Sequence, residues 1–257
     1  MSQSKVSKIE RGFLLPSVND VDALGTVYGL PPEEVSTLKS LVAELRDESR
    51  SRVVLARGMS EMQRKIGQLE ASSALLRSFQ PTLVIGLLQT PAYMRCVFNL
   101  PQDVPPDEVG DAVKAREARQ AVLADQHKQF VLIMIEGALR WQAASASIMA
   151  QQIEALIEAA MLPNVRVGII PWTTPVNVFP RHGFHLYDTD AVIVATETAT
   201  ATLAGPADVA TYVDMFEALE NLAAFGDDAR KHLVRIANDY RNLDPVRCPA
   251  DSGQLAT

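Results

Sequence analysis

Residues 2–12 read Ser2-Gln3-Ser4-Lys5-Val6-Ser7-Lys8-Ile9-Glu10-Arg11-Gly12. Val6 and Ile9 stand three apart, on one stripe of a helix of about two turns, and Gly12 supplies the stop. The rest of the helix is short and polar, with Lys5, Lys8 and Arg11 set against Glu10 alone. Outward from this stretch, Pro16 and Ser17 precede a second helical pattern. Ser17 or Asn19 would cap it, Val21, Leu24, Val27 and Tyr28 would form its apolar face, and Gly29 ends it. Pro31 and Pro32 open a third helix, with Glu33 and Glu34 in its electropositive first turn.

From Val35 to about Leu76 the pattern stays helical, with Leu38, Leu41, Val42 and Leu45 in register and Met62, Ile66 and Leu69 continuing the stripe. The mixed charges of 44–70, with Gly58 and Gly67, read as one or two connector helices, which could also dimerise. Beyond 75 the chain mixes periods. Pro81 and Gly86 exclude one long helix over 75–100, and Thr90 caps a helix opened by Pro91. Residues 101–107 form a loop, and Asp107 caps a helix over 108–125. Phe130–Ile135 and Val165–Pro171 read as buried strands, Ala146–Ala160 as a helix. Gly183–Tyr187 and Ala191–Glu197 form a hairpin around Asp188-Thr-Asp190. Two helices fill 206–240. The fold class is therefore α+β or α/β: a partial all-α N-terminus over 1–43, a connector over 44–74, a mixed domain with a small sheet flanked by helices over 75–243, and a disordered tail over 244–257.

Composition narrows the function classes. The 257 residues are 47% hydrophobic and carry a net charge of −7. That balance argues against non-specific nucleic-acid binding but allows a small basic patch to read DNA. The apolar runs are too short to span a bilayer, and the N-terminus has no signal-peptide core. Cys96 and Cys248 lie far apart, outside any paired motif. A cytoplasmic protein is expected.

Residues 2–12 resemble the recognition helix of Xre-type helix-turn-helix regulators, and LLPSVNDVDALGTVYGLPPEE resembles the later helices of that fold. The resemblance implies two further helices, about 25 residues, ahead of residue 1. It also implies that Gln3, Ser4 and Lys5 read base edges. Gln is a bidentate partner for adenine, and Ser2, Ser7, Lys8 and Arg11 would complete the contact with DNA. FQPTLVIGLLQTPAYMRCV (79–97), AREARQAVL (115–123), EGALRW (136–141), LPNVRVGIIP (162–171) and HGFHLYD (182–188) resemble the C-terminal domain of antitoxin-like regulators of actinomycetes. That resemblance implies a homodimeric transcription factor acting on operator DNA, often with a small partner protein encoded nearby.

Other constellations carry less. His182-Gly-Phe-His185 would project its imidazoles to opposite faces of a strand, so no metal is expected. Asp188, Asp190 and Glu197 with Glu136 form a candidate acidic site within 136–197, but a hairpin explains both aspartates more simply. There is no nucleophile elbow, phosphate loop or dinucleotide fingerprint, so no enzyme and no cofactor is expected. Arg77, Gln80, Arg116, Arg119 and Arg140 are the candidate contacts for an anionic ligand or an acidic partner. The apolar stretch 79–91 reads as core or as a partner groove. The favoured function is a DNA-binding regulator whose C-terminal domain senses a ligand or small protein. The alternative is an interaction module, an antitoxin or regulator-binding protein without DNA binding, and a less favoured one is an enzyme with an acidic site in 136–197.

Overall fold

The computed structural model describes residues 2–12, 14–50, 59–100, 106–195 and 200–243, with the side chains of 44–50, 59–65 and 106 left aside. The expected tail over 244–257, Glu197, most of the 101–107 loop and the middle of the connector lie outside these residues.

Three helices open the chain: α1 (Gln3–Glu10), α2 (Val18–Tyr28) and α3 (Pro32–Arg50). Ser17 caps α2 in a reciprocal box: its hydroxyl accepts from Asp20 N at 3.1 Å, and the Asp20 carboxylate accepts from Ser17 N at 2.8 Å. Gly29 ends α2 at φ +63°, a left-handed position suited to glycine. The covered face of α2 differs from the expected one. Val21 is buried, but Val27 and Tyr28 are largely exposed. The reason is Gly25, where an added Cβ would meet Val35 Cγ2 at 2.6 Å. Helix α3 approaches through that gap and centres the contact on Val21 and Gly25 instead of Leu24 and Tyr28.

Helix α4 (Met59–Ser72) leads into a six-stranded sheet ordered β3-β2-β1-β4-β5-β6. The strands are β1 (Leu75–Gln80), β2 (Gln129–Ile135), β3 (Val165–Ile170), β4 (Phe184–Tyr187), β5 (Ala191–Ala195) and β6 (Thr200–Leu203). The first three run parallel; β4, β5 and β6 add antiparallel pairs, so β1 is the seam between two pairing modes. Neither β1 nor β6 was among the expected strands. β1 alternates Leu76, Ser78 and Gln80 on one face with Leu75, Arg77 and Phe79 on the other. Its polar residues broke up the run that marks a buried strand.

The remaining helices are α5 (Pro91–Asn99), α6 (Pro106–Gln120), α7 (Glu136–Arg140), α8 (Ala146–Ala159), α9 (Pro206–Leu222) and α10 (Gly226–Arg241). Helix α6 begins one residue before the expected Asp107 cap. Helices α8 and α10 and the segment 81–90 cover one face of the sheet over Leu76, Leu132, Met134 and Val167. Helix α9 covers the other, its Phe216 packed among Phe79, Ile133 and Phe184. Val84, Ile85, Leu87 and Leu88 are buried, so the stretch 79–91 is core and not an exposed groove. Among the described residues no helix is long and apolar enough to cross a membrane.

Two buried polar contacts fasten α4 to this body. Glu70 and Arg119 of α6 form a bidentate pair, 2.8 Å to Nε and 2.5 Å to Nη2. Lys128 Nζ, also buried, donates to the carbonyls of Ala71 and Ser73 at 2.8 and 2.5 Å and so caps the end of α4.

Candidate functional site

The N-terminal candidates divide into two groups. Ser2 is the N-cap of α1, its hydroxyl accepting from Lys5 N at 3.3 Å. Lys5 Nζ pairs with Asp20 Oδ1 at 2.6 Å and ties α1 to α2. That bond and the capping bonds from Ser17 hold the Asp20 carboxyl well below the usual range. Arg11 donates to the hydroxyl of Ser7 at 2.8 Å and to its carbonyl at 3.2 Å. Gln3, Ser4 and Lys8 are exposed on the same short helix. Some of the seven side chains therefore build the helix, while Gln3, Ser4 and Lys8 face outward.

The second site is a cavity of about 470 Å³ on the α6 side of the sheet, over β1, β4 and β5. Glu70 of α4, Arg116 and Arg119 of α6 and the segment 81–89 wall it; Leu76, Leu132 and Ile193 lie on its floor. Of the five ligand candidates, Gln80, Arg116 and Arg119 meet here. Arg77 borders the cavity, but its guanidinium lies over the Phe216 ring at 5.8 Å on the opposite face, and its Nη2 donates to Asp188 O at 2.9 Å. Arg140 is elsewhere. It pairs with Glu136 at 2.6 Å and Asp239 at 2.8 Å, and its guanidinium sits 6.0 Å from the Trp172 ring. The i, i+4 spacing from Glu136 on α7 captured it.

Arg116 is held by uncharged groups. Its Nη1 donates to Gln89 Oε1 at 2.5 Å, its Cζ lies 4.4 Å from the Phe98 ring centre, and its Nε has no partner. Burial, with Arg119 beside it, lowers its pKa to about 10 against the opposing pull of Glu70. Gly86 lies alongside, and a Cβ there would come within 3.5 Å of that Nε.

Opposite the arginines, Ser78 Oγ and His185 Nδ1 are 2.8 Å apart, and Gln80 Nε2 and His185 Nε2 are 3.3 Å apart. With the Gln80 amide donating to Nε2, the ring is the neutral tautomer whose Nδ1–H donates to Ser78. Burial, then the charges of Arg119 and Arg116, push the His185 pKa down to about 4. Gly183 makes room for this arrangement, since a Cβ there would overlap the Gln80 amide. Tyr187 borders the same space, its phenol pushed up by burial and by the Glu70 carboxylate.

Among the described residues the acidic candidates do not converge. Glu136 accepts from Arg140, Arg235 and Trp172 N. Burial opposes its charge, but those partners hold its carboxyl below the usual range. Asp188, at φ +49°, accepts from the amides of Ala74 and Leu75 and so fixes the start of β1. Asp190 lies exposed in the turn. His182 bonds Gly183 O and the Tyr212 hydroxyl and also borders the cavity. Among the described residues no cluster of His, Cys, Asp or Glu has metal-ligand geometry.

Sequence reasoning did not find Glu70, Ser78, Gln89 or His185 as parts of one site. The signal for Ser78 was its i, i+2 relation to Gln80, legible only once β1 is known to be a strand.

Residues 63–235 match a family described as a domain of unknown function, DUF5753. Residues 1–38 match a helix-turn-helix domain, which supports a DNA-binding regulator. No curated protein matches the chain. Solved structures that match include the crystal structure of a phospholipase D family member, Nuc from Salmonella typhimurium. It is 9% identical, covers 64% of this chain and 90% of its own, and has a TM-score of 0.35, too slight to transfer fold or activity.

Proposed function

Because the chain belongs to the DUF5753 family and carries a helix-turn-helix domain at its N-terminus, we propose that it is a transcription regulator whose C-terminal domain is a ligand sensor. In this reading α1 lies in the major groove, Gln3 and Ser4 meet base edges, and Lys8 meets phosphate. A homodimer reads two half-sites in the cytoplasm. The finer assignment, an Xre-type, antitoxin-like regulator with a small partner protein, rests on the order of the SKIERG, PS and GLP motifs.

One observation carries the sensor half of the proposal. The cavity is walled by α4, the helix on the path back toward the DNA-binding segment, and Glu70 of α4 is bound to Arg119 of the opposite wall. A ligand that fills the cavity more favourably in one placement of α4 than in another shifts the population toward that placement. The spacing of the two half-site readers would change with it.

The test is binding of the full chain to its own promoter, by fluorescence anisotropy over a salt series. Gln3→Ala is expected to relax base preference at one position by about 1–3 kcal/mol. Lys8→Ala should weaken binding evenly across sequences and lower the salt slope by about one. A folded chain that binds all sequences alike, or none, overturns the regulator reading.

A further inference from the structure

We infer that the cavity over β1 and β4 binds a small amphiphilic monocarboxylate, its head received by Arg116 and its apolar body lying against Ile66, Pro81 and Leu83. The proposal takes its regulatory meaning from the sensor reading above, but its binding test does not depend on DNA.

The charge of the wall sets the ligand's charge. The chain as a whole carries −7, yet this cavity has an excess of positive charge. Arg119 is committed to Glu70 through two bonds, so that pair is nearly neutral. In the enclosed part Arg116 remains, with one nitrogen on the neutral Gln89 side chain and its Nε without a partner, while Arg181 also borders the cavity but is exposed to solvent. An uncompensated guanidinium in so enclosed a place is costly unless a counter-charge reaches it. A single negative charge balances Arg116 there, and a dianion would also face the Glu70 carboxylate.

The hydrogen-bonding groups point the same way. With His185 donating to Ser78 Oγ, the Ser78 hydroxyl keeps its own hydrogen to give, and a carboxylate oxygen can accept it. The half-buried Ile66, Pro81 and Leu83 give the cavity an apolar side, and the volume of about 470 Å³ lies in the range of pockets that enclose small organic molecules. An inorganic anion would leave that side uncovered. An acid with a hydrocarbon body fills both halves of the space.

The experiment uses the full chain without DNA and three probes: decanoate below its micelle concentration, methyl decanoate and inorganic phosphate. Calorimetry at pH 7, where the acid is ionised, measures binding. Decanoate is expected to bind. Methyl decanoate and phosphate should bind at least tenfold more weakly. Arg116→Gln should weaken decanoate at least tenfold. Leu83→Trp, which keeps every charge and narrows the cavity, should do the same, with circular dichroism reporting that each variant is folded.

Equal binding of the ester, or tighter binding of phosphate, overturns the monocarboxylate assignment. So does decanoate binding that survives both substitutions. Absence of binding by all three probes overturns it too, while leaving the promoter assay to decide the regulator reading separately. Conversely, a chain that binds decanoate as described but no DNA keeps this site and loses the regulator.

Discussion

Replacing Glu70 with glutamine tests how α4 is held to the rest of the molecule. The Glu70 side chain is 4% exposed and that of Arg119 12%, and both carboxylate oxygens accept from the guanidinium. Glutamine keeps the shape and one acceptor but removes the charge, leaving Arg119 uncompensated beside Arg116. Breaking a buried pair from one side costs about 3–5 kcal/mol. Because the pair borders a cavity, the lower end applies, about 3 kcal/mol. For a chain of this size each kcal/mol moves the melting temperature about 2–4 °C, so Glu70→Gln should melt about 6–12 °C lower. Thermal and urea unfolding followed by far-ultraviolet circular dichroism measure the loss. The double variant Glu70→Met with Arg119→Met removes both charges and should regain most of it, since two apolar side chains carry no desolvation penalty. A single variant within about 1 kcal/mol of the parent, or a double variant no better than the sum of its singles, would refute the idea that this pair fastens α4.

Three other outcomes follow from the same geometry. His185 stays neutral in the fold down to about pH 4, whereas an unfolded histidine protonates near pH 6.5. Stability from this residue is therefore full above pH 6.5 and falls as the pH drops toward 4, by about 2 kcal/mol between pH 7 and 5; His185→Gln should flatten that part of a pH series of urea midpoints. Gly183→Ala should displace the Gln80 amide and cost about 1–3 kcal/mol, and a normal His185 titration in that variant would contradict the contact. Ser17→Ala removes one side of the capping box and should cost the α2–α3 pair about 1 kcal/mol, which hydrogen exchange of the α2 amides can localise.

The helices were legible in the sequence because their signals are local. Ser17, Gly29 and Thr90 with Pro91 mark boundaries that the structure keeps to within a residue or two. The strands with unbroken apolar runs, β2 and β3, were equally plain. β1 was not, because a central strand bearing Arg77, Ser78 and Gln80 matches neither the alternating nor the all-apolar pattern. β6, reading Thr-Ala-Thr-Leu, is too short and too mild in hydropathy to stand out. The site suffered for the same reason. Arg116 and Arg119 share one helix face by spacing alone, but their meeting with Gln80 and His185 depends on β4 lying beside β1, a pairing across more than a hundred residues. Arg140 fits the composition of an anion site and was drawn off by a carboxylate four residues away. The covered face of α2 was misjudged because a glycine, not a large apolar residue, marks the point of closest approach.

The position of β1 as the seam of the sheet also fixes an order in time. Its parallel partner β2 ends at residue 135, but its antiparallel partner β4 is reached only at 184, and Asp188 bonds the Leu75 amide across 113 residues. A ribosome adding about 5–20 residues per second needs about ten to thirty seconds to go from the end of the helix-turn-helix match, residue 38, to the end of β5 at 195. Through that interval the N-terminal helices are already synthesised, while His185 and Ile193, which complete the cavity, are not. Each new molecule therefore passes through a stage in which its DNA-reading segment exists and its pocket does not. In the sensor reading proposed above, a small molecule acting through the pocket would govern only finished chains, and a product terminated before β4 would escape it.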